Sequence, residues 1–534
     1  MSQEHTTKAT GFQTVENPPA FESILFDRSR LELASQAPDF FPDLHLDHVI
    51  AAITAGREEY NLQPFFHTLL GDLEIVNYRH DIFRDLENQE TLDSIRSFAI
   101  QMRAMRTDLS LVEKLQYKYQ KQALFFEAIE IYIAAVHEFR RRLEQTELRS
   151  AGLLAFRRYI TDYAETHTFA WLSSETTSLR DALARLRYCL HIRGSLVEVT
   201  PYESELDYGI EVLDTFRKFS QGASKQYRFQ LASGVEMNHV EAAILDLVAR
   251  LYPQTFSTLD EYCTRHSDCM DSTMTRFDRE IQFYVAVIDN IDRMKKAGLP
   301  FCYPSVNSQS KEVSGRDVFD MALANKRVGE NKPVVRNNFH LTGPERILVI
   351  TGPNQGGKTT FARTFGQLHY LAKIGCPVPG TEARLFLCDR VFTHFEREED
   401  IRNLTGKLED DLLRMRKVLG AATSNSILIM NESFLSTTLN DALFLSKEIM
   451  HEIIERKMLC VTVTFIDELA SFNENTVSMV STVDPKDPTV RKFKIVRKPA
   501  DGLAYAAALA EKHLLTSERI KTRVARNLKG QIDS

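Results

Sequence analysis

The chain has 534 residues, of which 43% are hydrophobic and 26% are charged, a composition typical of soluble globular proteins and sufficient for about three or four domains. The formal net charge of −7 argues against a protein that coats nucleic acid through bulk positive charge, but it allows a basic surface on one domain. We expect no membrane partner, because no uncharged apolar stretch approaches about 18 residues, and the seven dispersed cysteines predict reduced thiols and a cytoplasmic location.

The first half of the chain is predicted to be largely helical. Residues 1–49 begin with a polar stretch and are interpreted as an N-terminal leader segment, and residues 50–320 show helical apolar spacing. Residues 109–143 contain no Gly or Pro and predict one long helix, and residues 276–296 predict a second. Helices of this length typically act as struts or levers, although an ordinary helical domain would show the same pattern.

A small insertion interrupts this helical region. Residues 193–201 have an extended pattern, and residues 221–224 are typical of a turn. We therefore expect a small insertion at about 191–235, carried on the long helices.

The second half of the chain predicts a different class of fold. Residues 300–340 are rich in turn formers and are interpreted as a linker. From about residue 341 predicted strands alternate with helices, which indicates an α/β layer with a largely parallel sheet. The predicted strands are Ile347–Thr351, Ala383–Leu387, Ser426–Met430, Leu459–Thr464 and Val477–Val483.

A glycine-rich motif follows the first of these strands. It fits the pattern G-x-x-x-x-G-K-[ST], and a predicted helix follows it, which is the context that a phosphate-binding loop requires. In such a loop the backbone N–H groups surround a β-phosphate, Lys358 reaches the β- and γ-oxygens, and the Thr359 hydroxyl is offered to Mg²⁺. The predicted nucleotide ligands are Gly352, Pro353, Asn354, Gln355, Gly356, Gly357, Lys358, Thr359 and Thr360.

A second strand supplies the remaining chemistry that ATP hydrolysis needs. The apolar run 426–430 starts roughly 70 residues after Lys358 and ends in Asn431 and Glu432. Glu432 is the candidate catalytic residue because a carboxylate can polarise the attacking water. Asn431 stands where an aspartate would hold Mg²⁺ through water, and its uncharged amide predicts weaker support for the metal. A strand that merely ends in two polar residues is the alternative.

Several motifs together resemble the ATPase domain of the MutS family. The run 351–360 (TGPNQGGKTT) resembles that family's T-G-P-N-M-G-G-K-S-T, and 371–379 (LAKIGCPVP) resembles its A-Q-I-G-x-x-V-P. Residues 389–393 (DRVFT) and 501–510 (DGLAYAAALA) are similar to two further segments of the domain. The resemblance is strong over about 341–520 and weaker over about 50–320.

The resemblance implies a multidomain α and α/β protein. A long-helix core and lever region (50–320) would carry a clamp-like insertion, and residues 321–534 would form an ABC-type P-loop ATPase domain with C-terminal helices. It also implies a homodimer in which Thr405 or Gly406, at a helix start, contacts the partner's ATP, although a plain helix cap would explain the same residues. Residues 437–441 fall where the family has a dimer-contact loop.

The sequence also departs from the family pattern. Too few residues precede the core-like region for the family's mismatch-reading domain, which we therefore expect to be lacking. Phe125-Phe126-Glu127 matches the letters of the mismatch wedge but falls inside a predicted long helix. Phe465 replaces the family's γ-phosphate histidine, and together with Asn431 it predicts slow turnover.

Two hypotheses on function follow. The first is an ATP- and Mg²⁺-dependent DNA-binding clamp, which would contact mismatched or structured duplex DNA in mismatch repair or recombination, with ADP as product and a repair-pathway protein as a further partner. Its candidate phosphate contacts are Arg193, Lys218, Lys225 and Arg228, and acidic neighbours dilute them. The second is a nucleotide-gated scaffold that binds a protein partner without DNA contact, which would fit the acidic balance of the chain.

Overall fold

The computed structural model describes residues 21–27, 32–203, 237–396, 406–484, 487, 490–500, 517–518 and 520–521. Two short 3-10 helices, Glu58–Tyr60 and Asp467–Ser471, accompany the main elements. The helices are α1 Leu46–Thr54, α2 Gln63–His67, α3 Leu73–Asp85, α4 Gln89–Val112, α5 Lys118–Gln145, α6 Ala151–Ala164, α7 His167–Ala184, α8 His239–Leu251, α9 Pro253–Arg265, α10 Ser272–Lys296, α11 Met321–Gly329, α12 Lys358–Lys373, α13 Lys407–Ala421 and α14 Leu439–Glu455.

The strands cluster in the second half of the chain. They are β1 Tyr188–Arg193, β2 Leu196–Pro201, β3 Phe301–Cys302, β4 Ser305–Asn307, β5 Val313–Val318, β6 Asn337–Leu341, β7 Ile347–Thr351, β8 Val378–Pro379, β9 Glu382–Phe386, β10 Val391–Phe395, β11 Ile427–Asn431, β12 Leu459–Val463, β13 Thr476–Val483 and β14 Arg491–Arg497.

The chain forms two compact units that interleave along the sequence. The first comprises 1–21, 86–149 and 153–278, and the second comprises 22–85, 150–152 and 279–534. The sequence predicts consecutive segments with boundaries at residues 49 and 320, which is a different division of the chain from these two units. Those boundaries stay a prediction. Among the described residues, no helix is both long and apolar enough to cross a membrane.

The first unit is built on long helices. Helix α5 shares an apolar core with α7, α8 and α9, in which Phe126, Leu172, Val248 and Tyr262 are buried. Beside this core α4 packs along α5, and the rings of Phe98 and Phe139 stack at 4.4 Å. The strands β1 and β2 form an antiparallel hairpin.

The prediction of one helix over 109–143 is wrong. Helix α4 ends at Val112 and α5 begins at Lys118, so the chain turns at 113–117. The turn allows α4 to fold back along α5 and to bury Phe98, Met102 and Met105. The apolar spacing continues across the turn because both helices bury one face, and tertiary packing overrides the local helical pattern without Gly or Pro. The second long helix is confirmed as α10.

The second unit contains the predicted α/β layer. Its main sheet has the order β10-β11-β12-β7-β13-β14, in which only β14 is antiparallel to its neighbour. Every residue of β7 and β12 is buried, as expected for parallel strands that are covered on both faces. Parallel strands bring their carboxyl ends to one edge of the sheet, and β7 and β11 end there.

Two sequence expectations about this unit are corrected. The predicted strand at 383–387 exists as β9, but it pairs with β4 and β5 in a second, mixed sheet of order β4-β9-β5-β6. The stretch 300–340, interpreted as a linker, contains β3, β4, β5 and α11. Its short strands alternate with turns, and their pairing with distant strands is not visible in local patterns.

Candidate functional site

The phosphate loop lies between β7 and α12, where the sequence placed it. Its backbone is left-handed at Gly352 (φ 114°), Gln355 (φ 59°) and Gly357 (φ 88°), and Gly357 is the N-cap of α12. Glycine is required at Gly352 for two reasons, its φ and the approach of β13, since a Cβ there would lie 3.0 Å from the Ser481 carbonyl oxygen. The turn directs the loop and the N-terminus of α12 toward a common anion-binding position.

Lys358 is held inside this loop. Its Nζ donates to the carbonyl oxygens of Gly352 (3.0 Å) and Pro353 (3.2 Å) and to Asn354 Oδ1 (3.3 Å). The side chain is only 4% exposed, and burial lowers the pKa of its amine, with Arg491 lowering it further and Glu432 opposing the shift. The ammonium group therefore lies where the oxygens of a bound β- or γ-phosphate can take over its hydrogen bonds.

The loop meets the end of β11 through Thr359. The Thr359 hydroxyl donates to Asn431 Oδ1 at 2.8 Å. Both atoms are oxygens, the ligand type that Mg²⁺ prefers. Mg²⁺ commonly binds only one or two protein groups and completes its coordination with substrate phosphates and water. The pair therefore fits a magnesium ion, although the Asn431 amide contributes no charge.

Glu432 follows Asn431 in a turn with unusual backbone angles. Both Glu432 (φ 52°) and Phe434 (φ 63°) are left-handed, although neither is glycine. The Glu432 N–H donates to the Val463 carbonyl oxygen at 2.9 Å, which fixes the turn to the end of β12. One carboxylate oxygen, Oε1, lies 4.0 Å from Lys358 Nζ. Such backbone conformations cost on the order of 1–3 kcal/mol each and cluster at functional sites.

A cavity of about 490 Å³ opens onto these groups. The phosphate loop and Glu432 line one part of it, and a second, largely apolar part comes from segments that sequence reasoning did not assign to the site. The main residues of this second wall are Phe319, Leu323, Arg327, Val334, Val335 and Phe493. No motif marks them, and the only local signal is Asp320, which caps α11 by accepting from the Leu323 N–H at 2.7 Å.

The other sequence-predicted residues lie elsewhere. Gly406 is the N-cap of α13 and is not among the residues that line the cavity, and residues 403–405 lie outside the described part of the chain. Arg193 ends β1 and is exposed, whereas Lys218, Lys225 and Arg228 fall outside the described residues. Phe465 follows β12 and is 50% exposed.

Comparison with known protein families finds the same domain. The family described as MutS domain V matches residues 348–525, which include the phosphate loop and the ends of β11 and β12. The matched segment therefore contains every group of the site except the part of the cavity wall that precedes β7.

Individual relatives agree with this match. The chain is 32% identical over 210 residues to the DNA mismatch repair protein MutS of Halalkalibacterium halodurans, a match that covers 38% of this chain and 24% of that protein. It is 30% identical over 192 residues to Endonuclease MutS2 of Thermus thermophilus (35% and 25% covered), and 25% identical over 233 residues to the DNA mismatch repair protein MSH3 of Debaryomyces hansenii (42% and 23% covered).

The matches span about a quarter of the length of these relatives. The match to MutS domain V includes the phosphate loop, the Thr359–Asn431 contact and the turn at Glu432. Residues 348–525, the segment that includes the candidate nucleotide site, thus match MutS domain V, and the MutS family is the one that this chain resembles.

Proposed function

We propose that this chain binds ATP with Mg²⁺ at the phosphate loop, hydrolyses it slowly, and uses the nucleotide to control binding to duplex DNA. The observation that carries the enzymatic part is the contact between the start of α12, directly after the phosphate loop, and the end of β11. Thr359 contacts Asn431 at 2.8 Å and Lys358 lies 4.0 Å from Glu432, all beside a cavity of about 490 Å³.

Each residue has a distinct role in this proposal. The loop N–H groups and Lys358 bind the β- and γ-phosphate oxygens, and Glu432 accepts a hydrogen bond from the attacking water and orients it. Thr359 and Asn431 would hold magnesium, which supplies neutralisation of phosphate charge when bound. The apolar wall with Phe319 and Phe493 packs against the nucleoside. Slow turnover is proposed because Asn431 lacks a charge and Phe465 offers no hydrogen bond to a γ-phosphate.

The ATP-binding step is tested by equilibrium titration with a labelled ATP. Lys358→Ala should weaken binding by about a hundredfold or more, because it removes the buried ammonium group, whose hydrogen bonds to phosphate are charge-assisted. Lys417→Ala is the matched control, since Lys417 is an exposed lysine of α13. Equal ATP affinity of the two variants and the wild type would show that the site is misplaced.

A homodimer is part of the same proposal. Three large apolar side chains of the second unit are exposed, namely Leu439 (58%) and Phe444 (62%) on α14, the helix that follows β11, and Phe465 (50%), which follows β12. Such side chains fit a protein interface. Gly406 would then contact the nucleotide of the partner. Phe444→Glu should prevent ATP-dependent dimerisation in sedimentation velocity, while Ile100→Glu, at a site that is 68% exposed on α4, should not.

Binding to DNA is proposed from the relatives, two of which are named as DNA mismatch repair proteins. The exposed Arg193 and the candidates Lys218, Lys225 and Arg228 would contact phosphates. Binding of homoduplex, mismatched and four-way-junction DNA should weaken as salt rises, with a log–log slope set by the number of phosphates contacted. The ranking of the three DNAs identifies the target.

One observation favours the scaffold as a second candidate function. The β1–β2 hairpin exposes the apolar side chains of Leu190 (44%), Ile192 (69%) and Leu196 (63%), which suit a protein contact better than a phosphate backbone. ATP binding without binding to any of the three DNAs at low salt would favour this alternative.

A further inference from the structure

The turn that carries Glu432 has a neighbour that sequence reasoning did not single out. His394 lies at the end of β10, in register with Met430 of β11, one residue before the end of that strand. Its side chain is 1% exposed, and its ring lies 5.9 Å from that of Phe434. Most buried polar side-chain atoms in proteins have a hydrogen-bond partner inside the protein, so the partners of the two ring nitrogens define the role of this histidine.

Both ring nitrogens have partners of defined character. Nε2 lies 3.2 Å from the carbonyl oxygen of Asp411, and Nδ1 lies 3.1 Å from Ser433 Oγ. A carbonyl oxygen only accepts, so Nε2 carries the hydrogen, and Nδ1 of the neutral ring accepts from the Ser433 hydroxyl. Burial and Arg414 lower the pKa of His394, with Asp411 opposing the shift, which agrees with a neutral ring.

The first partner belongs to α13, the helix that begins after Gly406. Arg414 of the same helix donates to the Phe395 carbonyl oxygen at 3.2 Å and forms an ion pair with the Asp411 carboxylate, which is 6% exposed. The helix is thus fixed to the end of β10 by two side chains. Of these two side chains, His394 also contacts the turn that follows β11, through Ser433.

The second partner is Ser433, which directly follows Glu432. The turn from Asn431 to Phe434 contains two left-handed residues, and such a conformation persists only where the surroundings hold it. On one side the Glu432 N–H donates to the Val463 carbonyl oxygen at 2.9 Å. On the other side the Ser433–His394 hydrogen bond restrains the next residue, so Glu432 lies between two fixed points.

We propose that His394 is a positioning residue for Glu432, acting through the hydrogen bond from Ser433 to its Nδ1. The ring links α13 to the turn that bears the candidate catalytic carboxylate, and it sets the direction of that carboxylate toward the phosphate loop. This inference rests on the proposed function, since it concerns the hydrolytic step. It predicts an effect on turnover and none on ATP binding, because His394 is not among the residues that line the cavity.

Two variants of nearly equal size separate positioning from packing. In His394→Asn the amide oxygen takes the place of Nδ1 and keeps the contact with Ser433. In His394→Gln the amide nitrogen takes the place of Nε2 and keeps the contact with Asp411 but loses Ser433. Ser433→Ala removes the same hydrogen bond from the other side.

Single-turnover hydrolysis and the affinity for a non-hydrolysable ATP analogue are measured for each variant. We expect His394→Gln and Ser433→Ala to lower the hydrolysis rate about tenfold, and His394→Asn to stay within about twofold of the wild type. The double variant His394→Gln/Ser433→Ala should also fall about tenfold rather than about a hundredfold, because both changes remove one interaction. Analogue affinity should stay within about twofold throughout.

Other outcomes contradict the inference in recognisable ways. Equal losses in His394→Asn and His394→Gln, or parallel losses of analogue affinity, would show that the ring only packs. A rate in His394→Gln equal to that of the wild type would overturn the inference alone. A wild-type chain that binds ATP without hydrolysing it would overturn the enzymatic part of the proposed function and this inference with it.

Discussion

Replacing Asn431 by aspartate should make hydrolysis respond to lower concentrations of Mg²⁺. The two side chains have the same shape, so the hydrogen bond from the Thr359 hydroxyl at 2.8 Å is kept and gains a charged acceptor. Hydrogen bonds to charged groups contribute about 1.5–3 kcal/mol and those between neutral groups about 0.5–1.5 kcal/mol. Residue 431 would hold Mg²⁺ through water, so the affinity for Mg²⁺ depends on one hydrogen bond from that water to the side chain. A charged acceptor would strengthen this bond by about 1.4 kcal/mol, which is tenfold in affinity.

Repulsion from the neighbouring carboxylate works against this gain. Glu432 follows directly and its carboxylate lies 4.0 Å from Lys358 Nζ, so that ammonium group offsets part of the added negative charge. We therefore expect the Mg²⁺ concentration for half-maximal single-turnover hydrolysis to fall about tenfold at most. ATP affinity without metal should not rise, because the change adds negative charge beside the phosphates.

The control for this prediction is Asn425→Asp, which adds the same charge at an exposed position just before β11, at the other end of that strand from Asn431. It should leave the Mg²⁺ dependence unchanged. An unchanged Mg²⁺ dependence in Asn431→Asp as well would refute the placement of Asn431 beside the metal. A lower Mg²⁺ requirement with an unchanged maximal rate would mean that Phe465 limits turnover.

Three further predictions concern the support of the site. Ser481 is fully buried and donates to the Gly356 carbonyl oxygen at 2.7 Å, so Ser481→Ala should lower the free energy of unfolding by about 1–3 kcal/mol and weaken ATP binding, as measured by urea titration and calorimetry. Arg79 is buried and donates to the carbonyl oxygens of Leu25 (3.1 Å) and Ile374 (2.8 Å). Arg79→Ala should lower the free energy of unfolding in urea by about 3 kcal/mol or more. Arg84→Ala, at a side chain that is 53% exposed, should lower it by less than about 1 kcal/mol. Burial lowers the pKa of Lys358, and only its protonated amine carries the charge that binds phosphate. ATP affinity should therefore fall as pH rises, beginning below the ordinary lysine pKa of 10.5. A titration midpoint at or above that value would contradict the burial argument.

The strands and the helix around the candidate site were largely predictable because the motifs are short and lie in a fixed local context. The phosphate loop follows strand Ile347–Thr351 as predicted, and the strand before Glu432 is displaced by one residue only. Glycine spacing, a buried apolar strand and a following helix are local properties that a single sequence reveals. The sequence motifs assign both Thr359 and Asn431 to Mg²⁺, but they do not predict the hydrogen bond between them.

The features that the sequence did not reveal depend on distant partners. The cavity wall that contains Phe319 and Val335 lies in a stretch that is interpreted from the sequence as a linker. Its residues line the cavity only because α11 lies beside the phosphate loop in the folded chain. His394 follows a family-like segment in the sequence, but its two contacts reach 17 and 39 residues along the chain. The turn between α4 and α5 interrupts an apolar pattern that both helices share. Local periodicity contains none of these pairings.

The proposal that this cleft hydrolyses ATP is tested most directly by Glu432→Gln. Equilibrium ATP binding and single-turnover hydrolysis would be measured side by side for this variant and the wild type. The glutamine keeps the size of the side chain but removes the carboxylate that polarises water, an effect on the order of a hundredfold to ten-thousandfold for such groups. We predict unchanged ATP affinity with hydrolysis reduced at least about a hundredfold. Hydrolysis at the wild-type rate in Glu432→Gln, or no hydrolysis in the wild type, would contradict it.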